Sequence, residues 1–600
     1  MLIVLLFLAI FLFIYYYVYP EIYMATIQAK ISRGQKYWYI VESRRVNGKP
    51  RPVVLAYLGK ANDLMKRLQG LTETIRLKSY SHGSVAAMLN IAHQLDVCTV
   101  INQYVKSPKN YIAEKPLRNH LTVGATLLLA AIGRGCMPTS KRGWLNWAKT
   151  TSLEYLLKYS VNKIDSQHFW DLMDAVPIEA IEKIEEQLLK KVFALYNLES
   201  DSLFYDTTNF FTYINTTNEY CEIAKRGKNK QKRTDLRQVG LALVVTRQDK
   251  IPLFHLTYEG NMNDAKVFKE VICKLKNRMD QLKLKSADHT IVFDRGNNSK
   301  QNMSLVKETA LHYVGALTPY HHKTLIEDAL TYFDLTKEDP SQSAYRDKRI
   351  IWGEERTVVV YISEKLKAGQ IRGTYQMLEN KERELKELQL ALLSTKAKKY
   401  ERNELEAKII NLLKGQYIKQ LILWSLEEIS EGRYQLQFVI DQDKLQEIEE
   451  QAGLRIIMTD HHDWDSEKII KTYQGQAEIE HAFKNLKNPY HLTLKPQFHW
   501  TDQKIIVHYF ICMLGYLLSA IIWREAKTKA SFNGTLDTLL DTLNNVRLAT
   551  LLEDTKTRGR IKASYKLEEM TNEEKQIVEA LSIIDFHERR PKLNGVGVYI

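Results

Sequence analysis

Two aspartates stand directly after apolar, strand-like runs of the sequence. Asp206 follows "SLFY" and Asp294 follows "TIVF". Because the carboxyl ends of neighbouring strands meet at the ligand-binding edge of an α/β sheet, these two carboxylates are predicted to converge. A third carboxylate, Glu480, lies in a helical pattern further along the chain. An Asp after a strand can also simply start a turn or cap a helix, and that interpretation stays open for each one taken alone.

Three carboxylates gathered in one place repel one another, so a site of this kind needs a counter-cation. Hard oxygen ligands with free positions suit Mg²⁺ or Mn²⁺. Two such ions, about 3.5–4 Å apart, can activate a water or a 3′-hydroxyl and stabilise the leaving oxygen of a phosphodiester. The chemistry predicted for Asp206, Asp294 and Glu480 is therefore metal-assisted phosphodiester cleavage.

The segment 471–492, "KTYQGQAEIEHAFKNLKNPYHL", predicts the helix that carries Glu480. At about 100° per residue, one narrow polar sector of this helix contains Tyr473, Gln476, Glu480, Lys484 and Lys487. A neighbouring stripe has the apolar pattern of a core-facing surface and contains Ile479, Ala482, Phe483 and Leu486. The pattern thus predicts a carboxylate among cations beside a buried stripe. A plain surface helix with Glu–Lys pairs four residues apart would show the same pattern.

The composition favours a polyanionic partner. The 600 residues carry a formal net charge of +14, and the pI is near 9.1, which together favour nucleic acid. One basic stretch, residues 225–237, is a candidate phosphate-binding loop, although a merely solvated loop would have the same composition. Its basic residues are Lys225, Arg226, Lys228, Lys230, Lys232, Arg233 and Arg237.

The remaining candidate ligands and stacking residues favour structural roles. The cysteines Cys98, Cys136, Cys221, Cys273 and Cys512 are scattered, which indicates a reducing compartment and no structural zinc. The run His461-His462-Asp463 lacks the i,i+4 spacing of a helical metal site and is predicted to be an unstructured surface loop. Trp144 and Trp147 are able to stack on bases, but core packing is the better interpretation.

The chain is too long for a single core and is predicted to form roughly three or four domains. Residues 1–23 are an apolar segment, interpreted as a start codon placed too early or as a membrane helix, with the remainder on the cytoplasmic side. Residues 24–61 predict a β-hairpin with a turn at Asn47-Gly48. The further segments follow from changes of pattern: 62–200 helical and DNA-binding, 201–319 α/β core, 320–465 insertion with strands and a charged helical hairpin, 466–525 second part of the core with the Glu480 helix, and 526–600 helical.

The order strand–Asp206, strand–Asp294, insertion, helix–Glu480 resembles the DDE transposases of bacterial insertion sequences. The helix resembles the Y-x2-R-x3-E-x6-K signature of the insertion-sequence-four superfamily, whose positions are here Tyr473, Gln476, Glu480 and Lys487. The stretches "DRGN" at 294–297, "GNMND" at 260–264 and "YLGKA" at 57–61 resemble the longer, hairpin-fronted subgroup. The resemblance extends from about Met24 to at least residue 520.

The resemblance implies a multidomain α+β and α/β protein with an RNase H-like catalytic core and a β-rich and helical insertion. It implies that Asp206, Asp294 and Glu480 bind two Mg²⁺ or Mn²⁺ ions and are catalytic. It further predicts that Tyr473 and Lys487 contact DNA phosphates near the cut end. The other residues predicted to contact DNA are Gln476, Lys484, Arg295, Lys225, Arg226, Lys228 and Lys230. The signature Arg is replaced by Gln476, which has no charge and no bidentate fork, so the phosphate-clamping role of that position stays open.

The function expected from the resemblance is that of a transposase. It would bind the inverted-repeat ends of its own element, cut there, and join the 3′-ends to target DNA. The expected partners are double-stranded DNA and at least a second copy of the chain, in the cytoplasm and associated with the nucleoid, with membrane association disfavoured. A metal-dependent nuclease without joining activity and an inactive DNA-binding remnant are the alternatives.

Overall fold

The computed structural model describes residues 25–32, 35–46, 49–60, 76–105, 118–198, 201–229, 231–335, 343–394, 398–495, 497–554 and 561–596. The apolar segment 1–23, the turn predicted at Asn47-Gly48 and the predicted DNA contact Lys230 lie outside these residues. The chain forms two compact units. The first contains the described residues up to Tyr80 together with Arg547–Glu569, and the second contains Ser81–Val546 and the residues from Met570 onwards.

The first unit is built from two sheets of three strands each. In one sheet β2 lies between β1 and β3, and Val46 of β2 pairs with Lys49 of β3. The other sheet has the order β16-β15-β4. The strands are β1 Ala25–Ser32, β2 Gln35–Val46, β3 Lys49–Lys60, β4 Arg76–Ser81, β15 Arg547–Asp554 and β16 Ile561–Leu567. Strands β15 and β16 lie within 526–600, and β4 lies within 62–200, although helices were expected in both segments. In β16 apolar and polar residues alternate, as in a pleated strand.

The second unit begins with a helical region. Its helices are α1 Gly83–Gln94, α2 Val97–Tyr104, α3 Val123–Cys136, α4 Trp144–Ala148, α5 Leu153–Leu157, α6 Ser166–Asp174 and α7 Ile178–Tyr196. Thr122 and Asp165 cap α3 and α6, since each side chain accepts a hydrogen bond from a backbone N–H of the first turn. Every residue of α3 is buried. Trp144 and Trp147 are buried as well, and Trp144 Nε1 donates to the carbonyl of Leu129, so both serve core packing.

An eight-stranded mixed sheet forms the centre of the second unit, in the order β10-β11-β14-β9-β8-β5-β6-β7. The middle strands β5, β8 and β9 run parallel to one another, and the remaining pairs are antiparallel. The protein is thus a mixed α/β, multidomain molecule. The strands are β5 Ser202–Phe211, β6 Gln238–Thr246, β7 Pro252–Glu259, β8 Thr290–Phe293, β9 His312–Leu317, β10 Ala344–Ile351, β11 Glu354–Ile362 and β14 Leu454–Thr459.

The segment 320–465, predicted as an insertion, has two parts. Strands β10, β11 and β14 extend the main sheet beyond β9. The remainder packs around an apolar core of its own, in which Leu385, Leu405 and Leu436 are fully buried. This second part contains α11 Glu364–Leu393, α12 Arg402–Leu412, α13 Ile418–Leu421, β12 Ile422–Ser430, β13 Arg433–Ile440 and α14 Gln442–Glu450, and the helix α10 Lys323–Leu335 precedes β10.

Helices cover both faces of the sheet at β5. Because side chains alternate along a strand, odd-numbered residues face one side and even-numbered residues the other. Tyr205 contacts Phe268, with ring centroids 5.2 Å apart, and thereby packs against α8 Asp264–Gln281. On the other face Phe204 lies against Gly475, between α15 Ser466–Gln474 and α16 Ala477–Lys487. The sheet therefore separates α8 from the helix predicted to carry Glu480.

The long helix α17, Asp502–Ala530, lies in the core of the second unit. It is long and apolar enough to span a membrane, but 94% of its most apolar window is buried inside the fold, as in a core helix. Helices α1 and α2 would pass the same test of length and composition together, with a 56° bend between them. The remaining helices are α9 Lys300–Glu308, α18 Leu536–Asn545, α19 Asn572–Ala580 and α20 Phe586–Arg589.

Candidate active site

The sheet register brings Asp206 and Asp294 to the same level. In the parallel pair β5–β8, Phe204 is the partner of Val292. Each aspartate lies two residues beyond its paired residue, so the two carboxylates stand at the same edge and on the same face of the sheet. Asp206 is half-buried and Asp294 is exposed. This arrangement agrees with the convergence predicted from the apolar runs.

The face shared by the two aspartates is the one covered by α15 and α16. The hydroxyl of Tyr473, near the end of α15, donates to Asp294 Oδ1 at 3.3 Å. Asp294 also begins a short 3-10 turn, and its Oδ1 accepts from the backbone N–H of Arg295 at 2.7 Å. Asp206 accepts in the same way from the backbone N–H of Thr207, also at 2.7 Å. The backbone N–H of the following residue thus holds one oxygen of each carboxylate.

Glu480 lies in the first turn of α16 and is exposed. Two contacts fix how this helix runs along β5. Before the helix, Gly475 meets Phe204, and at its last turn Lys487 Nζ donates to Thr208 Oγ1. Glu480 lies between these two contacts on the helix, and Asp206 lies between Phe204 and Thr208 on the strand. The helix therefore carries Glu480 along β5 past Asp206. The buried stripe is the predicted one: Ile479, Ala482, Phe483 and Leu486.

The described residues include one set of three His, Cys, Asp or Glu side chains whose ligand atoms all lie within 4.8 Å of one another, and it is not the predicted triad. That set is His312, Asp460 and His461, at the opposite ends of the parallel strands. The His312 and His461 rings are stacked with centroids 4.2 Å apart. One nitrogen of each is engaged, His312 Nδ1 with Asp460 and His461 Nε2 with Thr290.

His461 corrects the expectation of an unstructured loop at 461–463. Its side chain is buried, and its ring stacks on Trp464 with centroids 3.7 Å apart and planes within 6°. Burial, together with the neighbouring His312, lowers the pKa of His461 to about 4. These residues line a cavity of about 630 Å³. At this edge of the sheet, which lies away from Asp294, the rings stack and hydrogen-bond to Asp460 and Thr290.

A fourth carboxylate, Asp264, lies at the edge of the sheet with the predicted triad. It occupies the first turn of α8, which the Asn263 side chain caps. Thr207, the residue after Asp206, donates from Oγ1 to Asp264 Oδ1 at 3.1 Å. Gly296, two residues after Asp294, is also near, because a Cβ added to it would lie 3.8 Å from Asp264 Oδ2. Asp264 thus approaches the loops that follow both strand aspartates. Asp264 is the last residue of the "GNMND" stretch at 260–264, which is the signal in the sequence that marks it.

Asp206 and Asp264 both influence the pKa of Tyr205 and of Tyr258. Burial raises the pKa of the Tyr205 hydroxyl, and Tyr258, Asp264 and Asp206 add to that rise. Burial also raises the pKa of Tyr258; a hydrogen bond with Thr207 opposes the rise, and the two aspartates add to it. Both aspartates therefore disfavour ionisation of the same two hydroxyls.

The Gln476 position of the signature lies just ahead of α16 and is half-buried. A guanidinium reaches the neighbouring Tyr473 from elsewhere, because Arg455 of β14 lies over the Tyr473 ring at 5.8 Å and its Nη1 donates to the Tyr473 hydroxyl at 3.5 Å. Burial raises the pKa of Tyr473, Asp294 adds to the rise, and Arg455 opposes it. The positive charge absent at Gln476 is thus present beside Tyr473 from a neighbouring strand.

The predicted phosphate contacts lie around this edge. Lys484 and Lys487 are exposed at the C-terminal end of α16, and Lys487 Nζ lies 5.7 Å from the centroid of the Phe210 ring. Arg295 is exposed beside Asp294. In the basic loop, Arg226 and Lys228 are exposed and Lys225 is half-buried, with its backbone paired to Gln238.

Comparison with known families then gives a class of protein. The model of the family described as "Transposase DDE domain" matches residues 211–496, a range that contains Asp294 and Glu480 and begins after Asp206. This match supports a DDE-type transposase, an enzyme that acts on DNA.

No curated protein matches the chain. Among solved structures, the cryo-EM structure of a piggyBac transposase synaptic complex with hairpin DNA is similar, with 9% sequence identity, a TM-score of 0.38, and coverage of 76% of this chain and 79% of that chain. An overlap that low does not by itself establish a shared fold.

Proposed function

We propose that the protein is a DNA transposase of the insertion-sequence-four type, which cuts DNA at the inverted-repeat ends of its element and joins the 3′-ends to target DNA. The observation that supports it most is the common level of Asp206 and Asp294 on adjacent parallel strands, facing the helix that carries Glu480. The strand order around β5 agrees with an RNase H-like core, in which such an edge is the catalytic one.

The donor set fits divalent cations. Asp206, Asp294 and Glu480 offer hard, accessible oxygens at one edge of the sheet, and Asp264 reaches the adjacent Thr207 from the α8 side. These residues would hold two Mg²⁺ or Mn²⁺ ions. When bound, the ions would activate the attacking water or 3′-hydroxyl and neutralise charge on the phosphodiester.

The other residues of the edge position the site and the substrate. Tyr473 holds Asp294 through its hydroxyl, and Arg455 holds Tyr473. Lys484, Lys487 and Arg295 bring positive charge to the same edge and would contact the phosphates on either side of the cut. The basic loop at 225–229 would hold the duplex further away.

Transposition requires two kinds of partner, namely DNA and a second copy of the chain. Two element ends must be held together for joining, so the working form is at least a homodimer on double-stranded DNA. The enzyme would act in the cytoplasm on nucleoid DNA. A nuclease that cuts without joining is the second candidate, because a carboxylate site supports the cutting chemistry of both enzymes equally well.

Cleavage of an end-labelled DNA that carries the element's own terminus tests the proposal. The full-length protein should nick at the element boundary with Mg²⁺ and not with EDTA, and Asp294→Ala should abolish the nick. Asp443→Ala is the matched control, since Asp443 is an exposed aspartate of α14 in the insertion. A target plasmid in the same reaction separates the candidates: joined products identify a transposase, and nicks without joining identify a nuclease. Tight end-binding without cleavage under any divalent ion would overturn both.

A further inference from the structure

Four large aromatic side chains form an exposed row on the second unit, here called the aromatic platform: Tyr213, Tyr220, Phe498 and Trp500. Their side chains are 58%, 73%, 64% and 52% exposed, respectively. Tyr213 pairs with Phe498 at 6.4 Å between ring centroids, and Tyr220 pairs with Trp500 at 5.9 Å. Single exposed aromatic residues are ordinary, but a contiguous group of this kind marks a binding surface.

The fold holds Phe498 and Trp500 outward. In the extended segment before α17, Gln497 and His499 are buried while the residues that alternate with them are exposed. Tyr509 of α17 donates to Gln497 Oε1 at 3.3 Å, and the His499 ring lies 4.8 Å from His508. Because two alternate side chains are anchored inward, the other two must point to solvent.

The loop that carries Tyr213 and Tyr220 is also fixed. The Arg237 guanidinium donates to the carbonyls of Thr216 and Asn218 at 2.7 and 3.0 Å. The Asp502 carboxylate, at the start of α17, accepts from the backbone N–H groups of Glu222 and Ile223 at 2.8 and 3.1 Å. The platform is therefore preorganised, which lowers the entropic cost of binding a ligand.

The charge around the platform favours a polyanion. The segment 212–237 contains seven basic residues and three acidic ones, a net charge of +4. Arg233 is close enough to Tyr213 for the two side chains to influence each other electrostatically, although Asp235 pairs with Arg233 at 2.6 Å. Aromatic faces beside an excess of positive charge are the combination that binds single-stranded nucleic acid, since bases stack and phosphates are neutralised.

The platform lies along a continuous path from the predicted triad. Tyr213 follows the end of β5, seven residues after Asp206, so at most about 25 Å of extended chain separates their backbones. Lys487 stands between them, since its amine donates to Thr208 and lies near the Phe210 ring. A DNA strand leaving the carboxylates along β5 would meet this cation and then the aromatic platform.

We propose that the aromatic platform binds unpaired bases of a single DNA strand next to the cut end. The proposal rests on the transposase function and adds a substrate feature to it, namely a melted or single-stranded stretch beside the scissile phosphate. Unpaired bases are the occupant because their faces are open to stacking, whereas in a duplex neighbouring bases already cover them.

Equilibrium binding by fluorescence anisotropy, in EDTA, tests this with the full-length protein. The probes are a blunt duplex of the element's end and the same duplex with a 3′ oligo(dT) tail. The double variant Phe498→Ala/Trp500→Ala should bind the tailed DNA about tenfold to a hundredfold more weakly and the blunt duplex nearly as before. Tyr375→Ala removes an exposed aromatic of the insertion helix α11 and should change neither affinity.

Each other outcome overturns the proposal in a distinguishable way. Unchanged binding of both probes by the double variant removes the platform from DNA binding and leaves the transposase proposal intact. Equal weakening for both probes, with an unchanged melting temperature, makes it a general duplex contact. A shift in oligomeric state without loss of tail binding makes the occupant a second copy of the chain. Failure of the unmodified protein to bind either probe instead removes the proposed function itself.

Discussion

The hydroxyl of Tyr473 donates to Asp294 Oδ1 at 3.3 Å, across the gap between the end of a short strand and the helix that precedes the Glu480 helix. This contact ties two parts of the chain that are separated by the whole 320–465 insertion. The resemblance predicts a phosphate contact for Tyr473, and the structure shows a contact with Asp294. Tyr473 orients a carboxylate of the predicted triad, and its ring is largely buried.

Replacing Tyr473 by Phe should slow Mg²⁺-dependent nicking by about tenfold, because a hydrogen bond to a charged group stabilises by roughly 1.5–3 kcal/mol. The ring and its packing remain in Tyr473→Phe, so the melting temperature should stay close to that of the unmodified protein. Single-turnover nicking of the element's end measures the effect, and affinity for the same DNA in EDTA is the second measurement. Loss of affinity with an unchanged nicking rate would instead make Tyr473 a phosphate contact.

Asp264 gives the second prediction. Asp264→Asn keeps an oxygen to accept from Thr207 but removes the charge next to Thr207, the residue after Asp206. If Asp264 contributes to cation binding, the Mg²⁺ concentration for half-maximal nicking should rise severalfold while the rate at saturating Mg²⁺ falls less. A Mg²⁺ titration of the nicking rate checks this, with Asp443→Asn as the matched change in the insertion. An unchanged Mg²⁺ dependence would leave Asp264 as a structural partner of Thr207.

The local sequence pattern predicts which strands and which helix carry the three carboxylates, because each of these elements depends on a short run of neighbouring residues. Asp206 and Asp294 follow continuous apolar residues, and the buried stripe of the Glu480 helix recurs at the helical period. The common level of the two aspartates needed the register of β5 against β8, which no local signal contains. The sequence therefore predicts the elements that carry these side chains better than it predicts their distances.

Other features depend on partners that are distant in the sequence. Asp264 reads as an ordinary first-turn helix residue until its contact with Thr207 is known, and Arg455 reads as an ordinary strand residue until Tyr473 is beside it. The burial of His461 depends on Thr290 and His312, which precede it by more than a hundred residues. The insertion joins the main sheet through the pairing of β11 with β14, and these strands are separated in the sequence by a separately packed subdomain. This pairing too depends on distant partners.

Arg455 and Gln476 give a paired prediction. Arg455→Gln removes the guanidinium over the Tyr473 ring and should lower the nicking rate by about tenfold, because Tyr473 loses its donor and the edge loses a charge. Gln476→Arg in the same background restores the signature residue and should recover part of that loss. Nicking rates of the two single variants and the double variant form the test. Additive effects, with no recovery, would show that the two positions do not substitute for each other.

The last prediction concerns the pH dependence of stability. The His82 side chain is buried, with Nδ1 2.8 Å from Ser152 Oγ, and burial followed by the neighbouring His587 lowers its pKa to about 3. In the unfolded chain the pKa is about 6.5, so the unfolded state binds a proton that the folded state does not. This contribution to stability is complete above about pH 6.5 and is lost progressively as the pH falls toward 3, at about 1.4 kcal/mol per pH unit.

Thermal melting at about pH 7.5 and about pH 5 measures this loss. His82→Gln keeps a polar partner for Ser152 but does not titrate, so its melting temperature should fall less between the two pH values than that of the unmodified protein. His93→Gln changes an exposed histidine of α1, the helix that begins directly after His82, and should leave the fall unchanged. The pKa values of buried histidines elsewhere, such as His508, are lowered in the same direction. These histidines account for the fall in melting temperature that remains in the His82 variant. An equal fall in all three proteins would mean that His82 binds its proton as readily in the folded chain as in the unfolded one.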